Sequence, residues 1–485
     1  VGLSTLASAF GGRLRGADLT VTGVTGSSGF VRPGDLFAAL PGRSAHGARF
    51  AADAVAAGAA AVLTDPAGVD LAAVDVPALV VEDVRAVLGR LSAQVYGEPS
   101  RQLRVLGVTG TSGKTTTTFL MRAGMRAAGR VPGLIGTVAT LIGDEEIATG
   151  FTTPEAPEVQ ALLATMIERG GTDVAMEVSS HALALGRVDG IEFAVGAFTN
   201  LSEDHLDFHA DMTDYFRAKA ALFEQTENAV IVVDDIWGQQ LVDDVGTATT
   251  VSTTGQRGTW QASDIVAHAD GSTSFRATGP GVDLAMGCAI PGRYNVANAL
   301  LALAVLDEAG VPAEVAAPAI STASVPGRME RVDAGQPFLA VVDYSHKPAA
   351  VDGALMALRP LTAGSLIIVL GCGGDRDRGK RPHMGEIAAR GADLLIVTDD
   401  NPRSEDPAAI RKAMLDGALA VPESARGQVI EVGDRAEAIG AAVAAANFGD
   451  TVLIAGKGHE TGQEVAGVVH PFDDRIVLRN ALERP

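Results

Sequence analysis

The stretch Arg104–Thr118, RVLGVTGTSGKTTTT, constrains this chain more than any other. A β-branched run ends in a loop spaced by Gly107, Gly110 and Gly113, and Lys114, Thr115 and Thr116 then open a helix. Consecutive backbone N–H groups of such a loop point into one concavity, and the helix N-terminus adds partial positive charge. A lysine at this point reaches outer phosphates, and the threonine after it can ligate Mg²⁺. The strict P-loop spacing would place glycine where Val108 stands. A glycine-rich turn with no ligand is the bland alternative, disfavoured by the strand before and the helix after. The segment predicts binding of ATP or a close relative through Gly110, Thr111, Ser112, Gly113, Lys114, Thr115 and Thr116.

With 485 residues the chain is long enough for roughly three domains, each with its own core. Apolar runs such as DLFAAL, RVLGVT, DVAMEV, FAVGAFT, SLIIVLG and TVLIAG alternate with helix-like segments. That alternation predicts an α/β fold with mostly parallel sheets covered on both faces, and ligands beyond the carboxyl ends of the strands. GEPSRQ, at 97–102, reads as a linker, and VPGRMERV closes the unit that follows. RYNVANALLALAVLDEAG is expected to form a long amphipathic helix. The opening VGLSTLASAF lacks a basic segment and a cleavage pattern, so no signal peptide is expected, and the missing Met suggests a trimmed start. Apolar runs stop short of membrane-spanning length, which predicts a soluble protein without membrane insertion. Two distant cysteines argue for a reducing cytosol. A net charge of −21 disfavours nucleic-acid binding, so anionic substrates must meet local arginines and lysines.

Several polar groups fall near predicted strand ends. Glu177 ends DVAMEV, and His205 follows FAVGAFT with Asp204 and Asp207 beside it. Taken singly, each is more often a solvated loop residue or a helix cap than a ligand. Beside a P-loop they become candidates to manage metal and phosphate. Lys219, by its spacing alone, is an exposed helix lysine. Asn295 and Asn298 lie one turn apart, fit either for an adenine edge or for the rim of the core. In TDDNPR, Asp400, Asn401, Pro402 and Arg403 form either an ordinary turn or a strand end that offers a guanidinium fork to a carboxylate.

Ten motifs, in order, now stand together: GTSGKTT, EVSSHAL, TNLSEDHLDFH, YFRAKAALF, GRYNVANAL, PGRMERV, VVDYSHKP, GCGGDRDRGKRP, TDDNPR and AGKGHE. Over nearly its whole length the chain resembles the Mur ligases of peptidoglycan synthesis, and among them those that add diaminopimelate. The resemblance implies three domains: a smaller N-terminal α/β domain at 1–98 that binds a UDP-sugar, a central doubly wound P-loop domain at 99–331 that binds ATP, and a C-terminal Rossmann-like domain at 332–485 that binds the amino acid. It implies a cytoplasmic bacterial enzyme, a monomer, with small-molecule substrates.

By the same resemblance, Thr115 and Glu177 serve one Mg²⁺ and His205 a second, with Lys114 on the phosphates. Lys219 matches a carbamylated lysine whose added CO₂ turns a cation into a metal-holding carboxylate. Asn295, Asn298, Arg328 and Asp343 complete the ATP site. Ser28, Arg43, Ser44, Ala45, Thr152, Thr153, Ser179 and Arg187 hold the muramoyl dipeptide. Ser27, Ser28 and Gly29 stand where the family often shows Asp-Ser-Arg, and Leu185 where some relatives carry Gln. Arg376, the DNPR segment, Gly456 and Glu460 hold diaminopimelate, meso by expectation. The implied chemistry is formation of an acyl phosphate, then attack by an amine. A folylpolyglutamate synthase should lack the N-terminal domain and the DNPR–GKGHE pair, and a P-loop switch or motor should not need three substrate-sized domains.

Overall fold

The computed structural model describes residues 1–42, 45–147 and 152–483. The expectations for Arg43 and Ser44 lie outside the described residues. The chain forms two compact units, Val1–Gln261 with Leu300–Ala316, and Ala262–Ala299 with Ala317–Pro485. No helix among the described residues is long and apolar enough to cross a membrane.

The first unit begins with a five-stranded sheet in the order Arg13–Arg15, Ala78–Val80, Ala61–Thr64, Asp35–Ala38, Gly23–Thr25. Its strands are parallel except for the Arg13–Arg15 edge. Leu36, Leu63 and Leu79 pack with Leu3, Leu88 and Leu91 into one core. The helix Val84–Val95 seats this layer on the rest of the unit. Its Gly89 lies so close to the Asp189 carbonyl that an added Cβ would stand 2.3 Å away.

The larger sheet of the unit runs Thr249–Ser252, Thr226–Val232, Phe193–Phe198, Arg104–Thr109, Asp173–Glu177, Pro132–Ile135, all parallel, with antiparallel strands Thr140–Ile142 and Glu145–Ile147 at one edge. The strand Arg104–Thr109 is interior, with Val105, Leu106 and Val108 fully buried. This double-sided burial explains its unbroken apolar run. The antiparallel edge gave no clear sign in the sequence, because its strands have only three residues each.

The second unit holds the hairpin Thr273–Gly279 with Val282–Cys288 and a six-stranded sheet. The sheet order is Glu330–Arg331, Leu339–Asp343, Thr451–Ala455, Leu366–Leu370, Leu394–Val397, Gln428–Glu431. Only the Glu330–Arg331 edge is antiparallel. Val342, Val369, Ile396 and Ile454 meet Ile439 and Leu478 from covering helices.

One expectation is corrected. The helix Tyr294–Glu308 is not amphipathic, because every residue from Ala299 to Leu306 is 0% exposed. ALLALAVL presents apolar groups on all sides, and a helix hydrophobic all round is a buried one.

Candidate active site

The P-loop forms at the carboxyl end of Arg104–Thr109, and the helix Lys114–Ala127 follows it. Gly110 and Gly113 both adopt positive φ, at 138° and 91°. At Gly110 an added Cβ would collide with Thr199 Oγ1, so glycine is required twice over. Gly113 gives the helix no side-chain cap, unlike Asp211 or Ser179 at other helix starts in the unit. No side-chain oxygen at the cap position therefore competes with an anion at this helix start.

The loop is clamped from the neighbouring strand end. Asn200 Oδ1 accepts from the Ser112 N–H at 3.1 Å, and its Nδ2 donates back to the Ser112 carbonyl at 3.1 Å. Thr199 Oγ1 donates to the same carbonyl at 2.7 Å. Thr111 Oγ1 lies 3.2 Å from the Tyr215 hydroxyl. Burial pushes that phenol up to about 12, so it stays protonated. Asn200 sits inside a quoted motif but was not singled out in the sequence, because its partner is a backbone group 88 residues away.

Lys114 Nζ donates to the Gly110 carbonyl at 2.8 Å and the Thr111 carbonyl at 2.9 Å. Lys219 Nζ reaches the same Gly110 carbonyl at 2.7 Å. Lys219 is 1% exposed, which corrects the exposed helix lysine that spacing alone described. Burial, and after it the nearby Lys114 ammonium, hold its amine well below the ordinary lysine range. The helix Met212–Ala220 turns Lys219 inward along with Tyr215 and Phe216.

Glu177 ends its strand in register with Val108, beside the P-loop strand, and is 1% exposed. Its carboxylate is oriented by Thr137, whose N–H donates at 2.8 Å and hydroxyl at 3.1 Å. Nothing in the sequence near Thr137 signals this role. Thr152, Thr153, Ser179 and Arg187 gather on the same side. Thr137 Oγ1 lies 3.0 Å from Thr152 Oγ1, and Thr153 Oγ1 donates to the Glu177 carbonyl at 3.0 Å. Arg187 donates to the Thr153 carbonyl at 3.2 Å and pairs with Glu155 at 2.7 Å. Ser179 caps the helix Ser180–Ala184 by accepting from Ala182 N–H at 3.1 Å. Two segments 26 residues apart in sequence thus share one neighbourhood.

His205 adopts φ 54° and stands 3.5 Å from Asp204. Its carbonyl accepts from the His209 N–H at 2.9 Å. The buried His209 ring bridges Ser180 Oγ at 3.0 Å and Asp214 at 3.3 Å, which fastens the loop to two helices. No cluster of three or more acidic, His or Cys side chains poised for a metal occurs among the described residues. Ser28 and Ala45 follow the adjacent parallel strands Gly23–Thr25 and Asp35–Ala38, at their carboxyl ends.

In the second unit, Asn295 is 1% exposed and its amide is engaged within the chain. Its Nδ2 donates to the Pro291 carbonyl at 2.7 Å, and its Oδ1 accepts from Asn298 at 2.8 Å. Asn295 therefore orients Asn298. The Arg328 guanidinium stacks over the Tyr344 ring at 4.5 Å. Asp343 accepts from the Met329 N–H at 2.8 Å and the Ser345 N–H at 2.9 Å.

The DNPR segment leaves the carboxyl end of Leu394–Val397 and meets the loop after Thr451–Ala455. Asn401 Nδ2 donates to Glu460 Oε2 at 2.8 Å. Gly456, at φ 115°, leaves Asp400 only 3.1 Å from where a Cβ would stand. Arg403 donates to the Gly374 carbonyl at 2.7 Å and pairs with Glu464 at 3.3 Å, next to the loop that carries Arg376. Beneath them Arg435 and Asp474, both 0% exposed, pair through two bonds of 2.7 Å. Neither residue carried a sequence signal.

A P-loop with two lysines on one carbonyl, joined in one chain to a second mostly parallel sheet, is a nucleotide-binding α/β architecture, and the chain belongs to the Mur ligase family. Residues 108–306 match the Mur ligase middle domain, 327–458 the Mur ligase glutamate ligase domain, and 20–96 the Mur ligase family catalytic domain. Among its relatives is a UDP-N-acetylmuramoyl-L-alanyl-D-glutamate–2,6-diaminopimelate ligase of Streptomyces avermitilis, 53% identical over 99% of this chain and 96% of the relative. A ligase of the same name from Corynebacterium glutamicum is 53% identical over 92% and 89% of the two chains. A solved structure of a ligase of that name superposes with a TM-score of 0.70 at 32% identity, over 96% of this chain and 95% of the other.

Proposed function

We propose that this chain is an ATP-dependent amide ligase that joins diaminopimelate, in its meso form, to the D-glutamyl γ-carboxylate of UDP-N-acetylmuramoyl-L-alanyl-D-glutamate. The observation that carries the proposal is end-to-end likeness, at 53% identity, to ligases named for that reaction. The P-loop and the DNPR pocket that such a reaction needs support it. We assign the functional modules to 1–98, 99–331 and 332–485, which the three family segments support.

A carboxylate is a poor electrophile and must be activated before an amine can attack it. In the proposed first step the γ-carboxylate attacks the γ-phosphorus of ATP, giving an acyl phosphate and ADP. The amine then attacks the acyl carbon, loses a proton, and phosphate departs from the tetrahedral intermediate. Attack of one anion on another is opposed by several kcal/mol at short range in a weakly screened site. Lys114 and the first-turn N–H groups after Gly113 offset that repulsion on the phosphates. Thr152, Thr153, Ser179 and Arg187 hold the acid near Glu177, and Arg328, Asp343 and Asn298, positioned by Asn295, serve the nucleotide. Arg403, Arg376, Asn401, Gly456 and Glu460 hold the amino acid.

The oxygen donors of Thr115 and Glu177 suit Mg²⁺, with His205 assigned beside the second ion, and Thr137 holds the Glu177 carboxylate in one orientation without exhausting its lone pairs. Two bound ions would supply positive charge to the phosphates. Lys219, buried and with its pKa depressed, favours the unprotonated amine that adds to CO₂ with loss of a proton, so a carbamate there fits the site. The two buried free thiols, Cys288 and Cys372, accord with the cytoplasm, where we place the chain as a monomer. Phosphate release that requires ATP, the muramoyl dipeptide and diaminopimelate together tests the reading. Folded protein that makes no new amide with all three refutes it.

A further inference from the structure

Lys457 follows the strand Thr451–Ala455, and its side chain is 0% exposed. A buried ammonium is costly unless its donors are met by acceptors. Here they are met by the pocket itself. Nζ stands 2.9 Å from Glu460 Oε2, 3.0 Å from Asn401 Oδ1 and 3.6 Å from Asp400 Oδ1. Asn401 Oδ1 also accepts from the Glu464 N–H at 3.0 Å, and Gln463 donates to the Asp400 carbonyl at 2.7 Å. One cation therefore joins the DNPR strand end, the Gly456–Glu460 loop and the strand Gly462–Val465.

We propose that Lys457 is a positioning residue for amino-acid recognition, its buried ammonium fixing Asn401 and Glu460 so that Glu460 Oε1 is offered to the ammonium group of the incoming amino acid. Glu460 Oε2 is saturated by Lys457 and Asn401, while the side chain remains 33% exposed, so its other oxygen can face a ligand. The charges agree: Asp400 and Glu460 against Lys457 leave one net negative charge, which matches one substrate ammonium. Without Lys457 two neighbouring carboxylates would repel each other, and Asn401 Oδ1 would lose one of its two donors, keeping only the Glu464 N–H. This inference rests on the proposed ligase reading and deepens it at the same pocket.

The test compares wild type with Lys457→Met, Lys457→Arg and Lys457→Gln in steady-state phosphate release, using meso-diaminopimelate as the varied substrate. Gln keeps one donor and stands in if Met does not fold. The expected result is a rise in KM for diaminopimelate of about 10- to 100-fold in Met or Gln, the usual loss when the support of a binding group is removed. KM for ATP should hold, and Arg should recover part of the loss by keeping the charge. An unchanged KM for diaminopimelate in a folded variant overturns the proposal. So does parallel loss toward ATP and diaminopimelate with a lowered melting temperature in all three variants, which would mark Lys457 as purely structural. A wild type that forms no amide refutes the ligase reading instead, so the two failures are told apart.

Discussion

Lys219→Met separates stability from chemistry at the P-loop. The substitution removes an amine that donates to the Gly110 carbonyl at 2.7 Å. That carbonyl keeps its bond from Lys114 at 2.8 Å, so no buried acceptor is orphaned. The lost bond then costs only about 1 kcal/mol, and burying a methionine in place of a desolvated amine offsets part of it. Net destabilisation should stay near or below about 1 kcal/mol in urea unfolding followed by tryptophan fluorescence. Activity should fall far more. Removing one preorganised electrostatic group from a reacting centre typically costs about 10²- to 10³-fold in kcat, and the proposed carbamate is such a group. Lys219→Ala leaves room for a short carboxylic acid and should be partly rescued by acetate or propionate, whereas Lys219→Met fills that space and should not. Full turnover by either variant, or equal rescue of both, would sink the carbamate assignment. Strong destabilisation by Met would show that the amine is held for structure.

Asp474→Asn leaves the fully buried Arg435 without its counter-charge and should destabilise the protein by about 3 to 5 kcal/mol, read from denaturant unfolding; a loss below about 1 kcal/mol would contradict the geometry. Burial, followed by the charges of Arg328 and Arg475, pushes His459 down to about 4 from an ordinary value of 6.5. The unfolded chain therefore binds more protons between those values, so stability should be level above pH 6.5 and fall as pH drops toward 4. His459→Gln should lessen that slope, with His181 and His346, whose imidazoles burial also pushes down, keeping the remainder, and an unaltered slope would exclude His459. Arg403→Ala should raise KM for diaminopimelate by one to two powers of ten while ATP binding holds, since a bidentate carboxylate partner is lost, as substrate titrations would reveal.

The phosphate cradle was legible in the sequence because it is made by consecutive backbone groups, and spacing within some ten residues dictates its shape. The interior strands were legible for a similar reason: burial on both faces demands unbroken apolar runs such as LIIVL and VLIA. DNPR and GKGHE could be recognised as motifs, but the contact that unites them could not. Lys219 looks like a surface lysine in YFRAKAALF, and only the meeting of two segments 109 residues apart buries it against Gly110. Thr137, Asn200, His209, Lys457 and the Arg435–Asp474 pair are likewise defined by partners distant along the chain. Local sequence encodes the shape of loops and the faces of strands; the state of a buried charge depends on which remote groups surround it, and that is settled only when the sheets assemble.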